Sequence, residues 1–234
     1  MERILLASPL KGNCIRELEK IYLGEKADIF VFPEGFLQTE NLEEALAILG
    51  KKESLVITGL KDGRSGKRYE TALIIDGGNI IGEYQKCILT KSEKERGKKA
   101  GSRIHCIDTR YGKIGIPICY EIHFPEVARV MALEGPVLLV NMIGTGMYHD
   151  LQYTQWTALA RARAIENEVY VIGCSHYIGE IPIAYAFSPQ GEPLICEKNH
   201  YGGIGIEIDL AESNKKRIGY LEDRIPGCFA NLGK

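Results

Sequence analysis

No stretch of the 234 residues approaches the 18 consecutive apolar positions that a membrane-spanning helix needs. Charge excess is missing too. Lys and Arg total 29 against 31 Asp and Glu, a net charge of −2, which argues against a generic nucleic-acid binder held by phosphate contacts. The seven cysteines (14, 87, 106, 119, 174, 196 and 228) are odd in number and contain no Cys-x-x-Cys pair. They fit neither a disulfide framework nor a zinc site, so no metal is expected. Most read as small buried hydrophobes in a reducing compartment, and the protein is expected to be cytoplasmic. Low-complexity tracts and linker-like breaks are absent, so residues 1–234 read as a single domain. The start, Met1-Glu2-Arg3 followed by Ile4 to Ala7, is too short for a signal peptide and reads as a first strand.

What is present is ordinary globular composition, 45% hydrophobic and 26% charged, which excludes a disordered chain. Arg3–Ser8, Ala27–Phe32 and Ser54–Gly59 are short apolar runs of the kind found in buried strands. Between them lie two helical patterns: Asn13–Leu23, with Asn13 as N-cap, and Asn41–Leu49, closed by Gly50 at C′. This β-α-β-α-β order predicts a partly parallel sheet. The middle changes character. Tyr69–Ile75 and Asn79–Lys86 form a hairpin around Asp76-Gly77-Gly78, and Arg103–Asp108 pairs with Lys113–Cys119. A helix over about Pro125–Leu133, a strand Val137–Asn141, a long helix over about Leu151–Asn167 and a strand Val169–Cys174 follow. The tail returns to hairpins: Ile183–Ser188, Pro193–Glu197 and Gly203–Ile208. The charge run Lys91–Lys99 reads as a solvated loop. Two similar halves suit two mixed sheets packed face to face in one α/β domain.

Three residues stand at strand ends. Isoleucines alternate through Ile114 to Ile118, leaving Cys119 on the other face where the strand gives way to a helix; a helix N-terminus there is expected to lower the thiol pKa. Glu34 follows the apolar run Ile29 to Phe32, past the carboxyl end of a buried strand, where open α/β sheets bind ligands. Lys86 enters an apolar strand and must snorkel or find a charge partner. Singly, each has a bland reading: a buried structural cysteine, a solvated loop glutamate, a snorkelling lysine. Together they supply base, oxyanion stabiliser and nucleophile for thiol acyl transfer.

Five segments in order resemble the nitrilase superfamily, the carbon–nitrogen hydrolases: Ala27 to Glu34, Tyr69 to Lys86, Gly115 to Glu121 continuing to Phe124-Pro125-Glu126, Trp156 to Asn167, and Ser188 to Glu192. The resemblance implies a four-layer α-β-β-α sandwich and a catalytic triad of Glu34, Lys86 and Cys119. It also implies a second glutamate shortly after the lysine, Glu93 with Glu95 as rival, and an oxyanion site shared by Lys86 and the backbone N–H of Tyr120. No cofactor is implied. Gln85 and Ile88 depart from the Arg and His often found beside the lysine. The implied reaction is hydrolysis of a small amide through a thioester, with nitrile or N-carbamoyl hydrolysis as alternatives. A non-catalytic binding or scaffold member is the reading of another class, and the filled triad argues against it.

Rival constellations are weaker. Cys119, Glu121 and His123 at alternate positions mimic a metal site only if they share one strand face. A Cys–His enzyme would use His123 or His176 as base, without a matching local signature. His105, His149 and His200 read as surface or hydrogen-bonded, and Trp156 with Tyr153 as core or interface; Arg163 and Glu166 form a helical pair. Apolar residues on more than one side of the later helices (Val127, Val130, Met131 and Leu133; Trp156, Leu159 and Ile165) predict a homodimer or higher even assembly. The resemblance points the same way.

Overall fold

The computed structural model describes residues 1–213 and 218–233. Its first half begins with β1 (Glu2–Ser8), α1 (Cys14–Leu18) continued by a π turn over Glu19–Leu23, β2 (Ile29–Val31), β3 (Leu37–Gln38), α2 (Leu42–Leu49) and β4 (Leu55–Asp62). The hairpin β5 (Tyr69–Asp76) and β6 (Asn79–Gln85), then α3 (Lys91–Glu95), complete it. The second half comprises β7 (Cys106–Thr109), β8 (Gly112–Gly115), α4 (Pro125–Ala132), β9 (Leu138–Ile143), α5 (Asp150–Asn167), β10 (Tyr170–Ser175), β11 (Ile183–Phe187), β12 (Pro193–Lys198) and β13 (Gly202–Ile208). Two sheets result. One runs β13-β1-β2-β4-β5-β6, with β3 also on β4; the other runs β12-β11-β10-β9-β8-β7. Strands β1, β2 and β4 are parallel, as are β8, β9 and β10, and antiparallel strands flank each set.

Period-2 alternation builds the layers. Ile4, Leu6, Ile29, Val31, Leu55 and Ile57 face the core between the sheets, where they meet Val140, Met142, Ile172 and Cys174. Their neighbours Leu5, Ala7, Phe30, Phe32 and Val56 face outward onto Leu18, Ile21 and Tyr22 and onto Ala45 and Leu49 of α2. α4 and α5 cover the second sheet through Val127, Met131, Trp156, Ala160 and Ala164. This is the expected α-β-β-α sandwich of two mixed sheets.

Several local expectations change. The strand before Cys119 stops at Gly115, because Pro117 has no N–H to give the ladder. Helix does not run on from Cys119: one 3₁₀ turn spans Cys119–His123, and α4 starts afresh at Pro125. The charge run is not all loop, for α3 forms within it. Thr90 Oγ1 accepts from the Glu93 N–H while the Glu93 carboxylate accepts from the Thr90 N–H, a reciprocal cap. Gly50 closes α2 with right-handed dihedrals, so its expected C′ role fails. β13 leaves the tail hairpin and crosses to pair with β1. Of the apolar residues read as an assembly surface, Val127, Met131 and Trp156 are buried within the protomer, while Val130, Leu133 and Ile165 remain exposed. Among the described residues no helix is long and apolar enough to cross a membrane.

Candidate active site

Glu34 sits on the turn after β2, and the turn is packed backbone to backbone. The Gly59 N–H donates to the Pro33 carbonyl at 3.2 Å, and a Cβ on Gly59 would fall 2.3 Å from the Gly35 nitrogen, so β4 must carry glycine there. Gly144 leaves room for the carboxylate itself: its Cβ would lie 2.6 Å from Glu34 Oε2. Lys86 follows β6 and is 1% exposed. Its N–H donates to the Glu70 carbonyl at 2.9 Å, and its own carbonyl accepts from Gly101 at 2.8 Å. The ammonium donates to Glu34 Oε1 at 2.8 Å and to Glu93 Oε1 at 2.9 Å.

Cys119 opens the 3₁₀ turn with φ 48°, in the left-handed region. For a residue with a Cβ this costs of order 1–3 kcal/mol, so the surroundings must hold it. Asn141, in the middle of β9, does so. Its Nδ2 donates to the Pro117 carbonyl at 2.7 Å and to the Cys119 carbonyl at 3.2 Å; its Oδ1 accepts from Trp156 Nε1 and the Tyr185 hydroxyl. Fully buried Glu121 ties the turn to the lysine segment. Its carboxylate accepts from the N–H groups of Ile118, Cys87 and Ile88 and from the Tyr84 hydroxyl, all within 3.0 Å.

Glu34, Lys86, Glu93 and Cys119 thus meet in one cavity of about 660 Å³. The rival Glu95 is exposed and, among the described residues, pairs only with Lys91, at 3.8 Å, so Glu93 is the glutamate brought to the lysine. Tyr120 turns its ring away, onto Phe124 and His123 at 5.1 and 5.4 Å, and does not line the cavity. Cys119, Glu121 and His123 do not converge on a metal. Glu121 points to its backbone donors, and His123 Nδ1 lies 3.2 Å from the Tyr120 carbonyl with its ring against Trp156. Among the described residues no group of three or more His, Cys, Asp or Glu is placed to hold a metal ion. His176 lines the cavity and its Nε2 lies 3.1 Å from the Glu34 carbonyl, but burial pushes its pKa down to about 4, which makes it a poor base.

The electrostatics correct one expectation. The Cys119 thiol is not acidified. Burial raises its pKa well above the ordinary thiol value and the neighbouring Glu34 carboxylate adds to the rise, while Lys86 and the Gly144 backbone oppose it without prevailing. A single 3₁₀ turn offers little dipole, because that effect fades within a turn. Burial and Glu34 therefore favour the neutral form of the Cys119 thiol. For Lys86, burial favours the neutral amine, but the negative groups around it, Glu34 first, more than offset this and raise its pKa. For Glu93, burial works against ionisation, but Lys86, the Thr90 N–H and Lys98 together outweigh it, so its pKa falls.

Sequence reasoning missed Glu70, Lys98, Glu121 and Asn141. Of these only Asn141 carried a signal, and a further signal bore on the choice between Glu93 and Glu95. Asn141 is the one amide in an apolar strand, and the spacing Thr90-x-x-Glu93 is a capping box that would have singled out Glu93 over Glu95. Glu70 and Lys98 belong to separate segments, and nothing local pairs them.

Over 168 residues the chain is 30% identical to a probable nitrilase of Schizosaccharomyces pombe, covering 68% of this chain and 60% of that protein. It is 32% identical over 205 residues to an omega-amidase of Saccharomyces cerevisiae, covering 77% and 66%. The chain thus spans under two thirds of the length of these relatives. The crystal structure of a carbon-nitrogen hydrolase from Helicobacter pylori G27 superposes with a TM-score of 0.87 at 21% identity, covering 99% of this chain and 98% of that one, a likeness of fold. The family model described as carbon-nitrogen hydrolase matches residues 15–205, and with that match the chain belongs to the carbon-nitrogen hydrolases of the nitrilase superfamily.

Proposed function

We propose that the protein hydrolyses the C–N bond of a small amide to a carboxylic acid and ammonia, with Glu34, Lys86 and Cys119 as catalytic residues. The observation that carries this reading is the buried Lys86 ammonium, held between Glu34 and Glu93 in the cavity that also holds Cys119. Glu34 takes the thiol proton as sulfur attacks the carbonyl carbon. A neutral thiol needs that base. The oxyanion is received by the Lys86 ammonium and the Tyr120 backbone N–H. Glu34 then hands its proton to the departing amine, leaving a thioester on Cys119. It next deprotonates a water, which attacks the thioester and releases the acid, and the proton returns to sulfur. Glu93 fixes the lysine. A scaffold without activity would not need a strained cysteine facing a buried ion cluster.

The wall also suggests which amide. Glu34, Glu70 and Glu93 are its carboxylates, and each already has an ammonium partner, Lys86 or Lys98. Lys11, Lys61 and Arg96 line the same cavity with no carboxylate partner among the described residues. An amide with an anionic far end fits this excess of positive charge, and an omega-amidase among the relatives is in keeping with it. In an ammonia-release assay over amides, nitriles and N-carbamoyl compounds, succinamate is expected to exceed uncharged butyramide at least about 10-fold in kcat/KM. The ratio should shrink in high salt and in Lys61→Ala. Ammonia from nitriles or N-carbamoyl compounds alone would transfer the reading to those alternatives; equal rates for the two amides would remove the anionic end.

The same reading includes a cytoplasmic location, supported by seven free cysteines, and a homodimer through the outer faces of α4 and α5. Val130, Leu133 and Ile165 are exposed there and Leu159 is half-buried. Light scattering at micromolar concentration should return at least twice the 26.1 kDa of the chain; a monomer mass would remove the assembly.

A further inference from the structure

The ion pairs around Lys86 continue past Glu93. Glu93 Oε1 also accepts from Lys98 Nζ at 3.4 Å, and Lys98 donates to Glu70 Oε1. Glu34, Lys86, Glu93, Lys98 and Glu70 therefore form an unbroken alternation of carboxylate and ammonium. Glu70 is 4% exposed, and its Oε2 has no hydrogen-bond partner among the described residues. That oxygen lies on the Glu34 side, 3.4 Å from where a Cβ on Gly35 would be. Burial, and then Glu34 itself, raise the Glu70 pKa, while Lys98 opposes the rise.

Local structure aims Lys98. The Gly97 N–H donates to the Lys94 carbonyl at 2.9 Å and the Lys98 N–H to the Glu93 carbonyl at 3.0 Å, with Gly97 at φ +73°. This is a Schellman closure of α3. It pins the Lys98 backbone to Glu93, the residue whose side chain it must reach.

We infer that Lys98 is a positioning residue for the reaction, holding Glu93 against Lys86 and cancelling the charge of Glu70. The inference rests on the proposed catalytic reading. With Lys98, the five groups sum to −1; without it, three carboxylates share one ammonium. The other charged groups that face them are Lys11, Lys61, Arg68, Arg96 and Glu40, all exposed and screened by solvent, and Asp62, which is paired with Arg64; His176 and the Cys119 thiol are neutral. None replaces Lys98. An added unpaired negative charge favours the protonated form of whichever carboxylate must ionise, and it opposes thiolate formation at Cys119.

The test compares wild type, Lys98→Met, Lys98→Arg, Glu70→Gln and the double variant Glu70→Gln/Lys98→Met. One readout is the pH profile of kcat/KM on butyramide. The other is the pH dependence of Cys119 alkylation by iodoacetamide, which needs no turnover. Lys98→Met is expected to move the acid limb up by about one pH unit and to slow alkylation about 10-fold at neutral pH. Lys98→Arg should stay close to wild type. The double variant, having lost one charge of each sign, should recover most of both effects; a merely misfolded Lys98→Met protein would not be rescued this way. Profiles of Lys98→Met that superimpose on wild type, or a double variant as impaired as Lys98→Met, would overturn the inference. If wild type hydrolyses no amide while the alkylation shifts and their rescue appear, the catalytic reading fails and the charge coupling stands.

Discussion

Cys119→Ser is expected to leave a folded protein whose amide turnover has fallen by at least about 10³-fold. The substitution is nearly isosteric, and the Asn141 bonds to the Pro117 and Cys119 carbonyls do not involve the side chain, so the strained turn survives. What changes is the nucleophile. The thiol here already resists ionisation because it is buried beside Glu34, and a hydroxyl in the same place resists far more. Measured as ammonia release alongside a thermal melt, the expected pattern is lost activity with little change in melting temperature. Cys174→Ser is the control. Cys174 is fully buried in the core between the sheets, away from the cavity, and its replacement should leave turnover within a few-fold. Near-normal turnover in Cys119→Ser would require another nucleophile.

Glu34→Gln is the second large effect, a fall of about 10² to 10⁴-fold. In the proposed reaction one carboxylate serves as base for the thiol, acid for the amine and base for water, so the loss acts on both halves of the reaction. The amide also removes one of the two anions that keep the Lys86 ammonium buried and charged. A distinct signature follows from an activated ester substrate, whose leaving group departs without a proton. Acylation then outruns deacylation, and intact-protein mass spectrometry should show the acyl group retained on Cys119. In Glu34→Gln/Cys119→Ser the adduct should vanish, with turnover little below the worse single variant, since both residues act in one step. An adduct on another cysteine would contradict the assignment.

Much of the site was legible because the chemistry sits at strand ends. Lys86 follows β6 directly, Glu34 follows β2 through Phe32-Pro33, and Cys119 follows β8 through the short Ile116-Pro117-Ile118 link. The supporting residues were less legible. Glu121 looked like a metal-ligand candidate beside Cys119 and His123, and its real work, gathering the N–H groups of Cys87, Ile88 and Ile118, joins segments more than 30 positions apart. The thiol was misread for a related reason: a helix start is a local feature, whereas burial and the approach of Glu34 come from folding.

By itself the sequence determined the elements and their faces. Alternation in β1, β2 and β4 sorts Ile4 and Leu6 from Leu5 and Ala7, and a parallel sheet with helical crossovers follows from short apolar runs separated by helices. The tertiary structure alone decided which loops meet. β13 could have stayed with the tail hairpin but pairs with β1 and locks the two sheets together. That packing brings the turns after β2, β6 and β8 to one cavity and sets Lys98 between Glu93 and Glu70. Periodicity is a property of neighbours in the chain, so it is written in the sequence. The charge state of a buried group depends on everything within a few ångströms, and here those neighbours arrive from the turn after β2, β5, α3 and the 3₁₀ turn at Cys119.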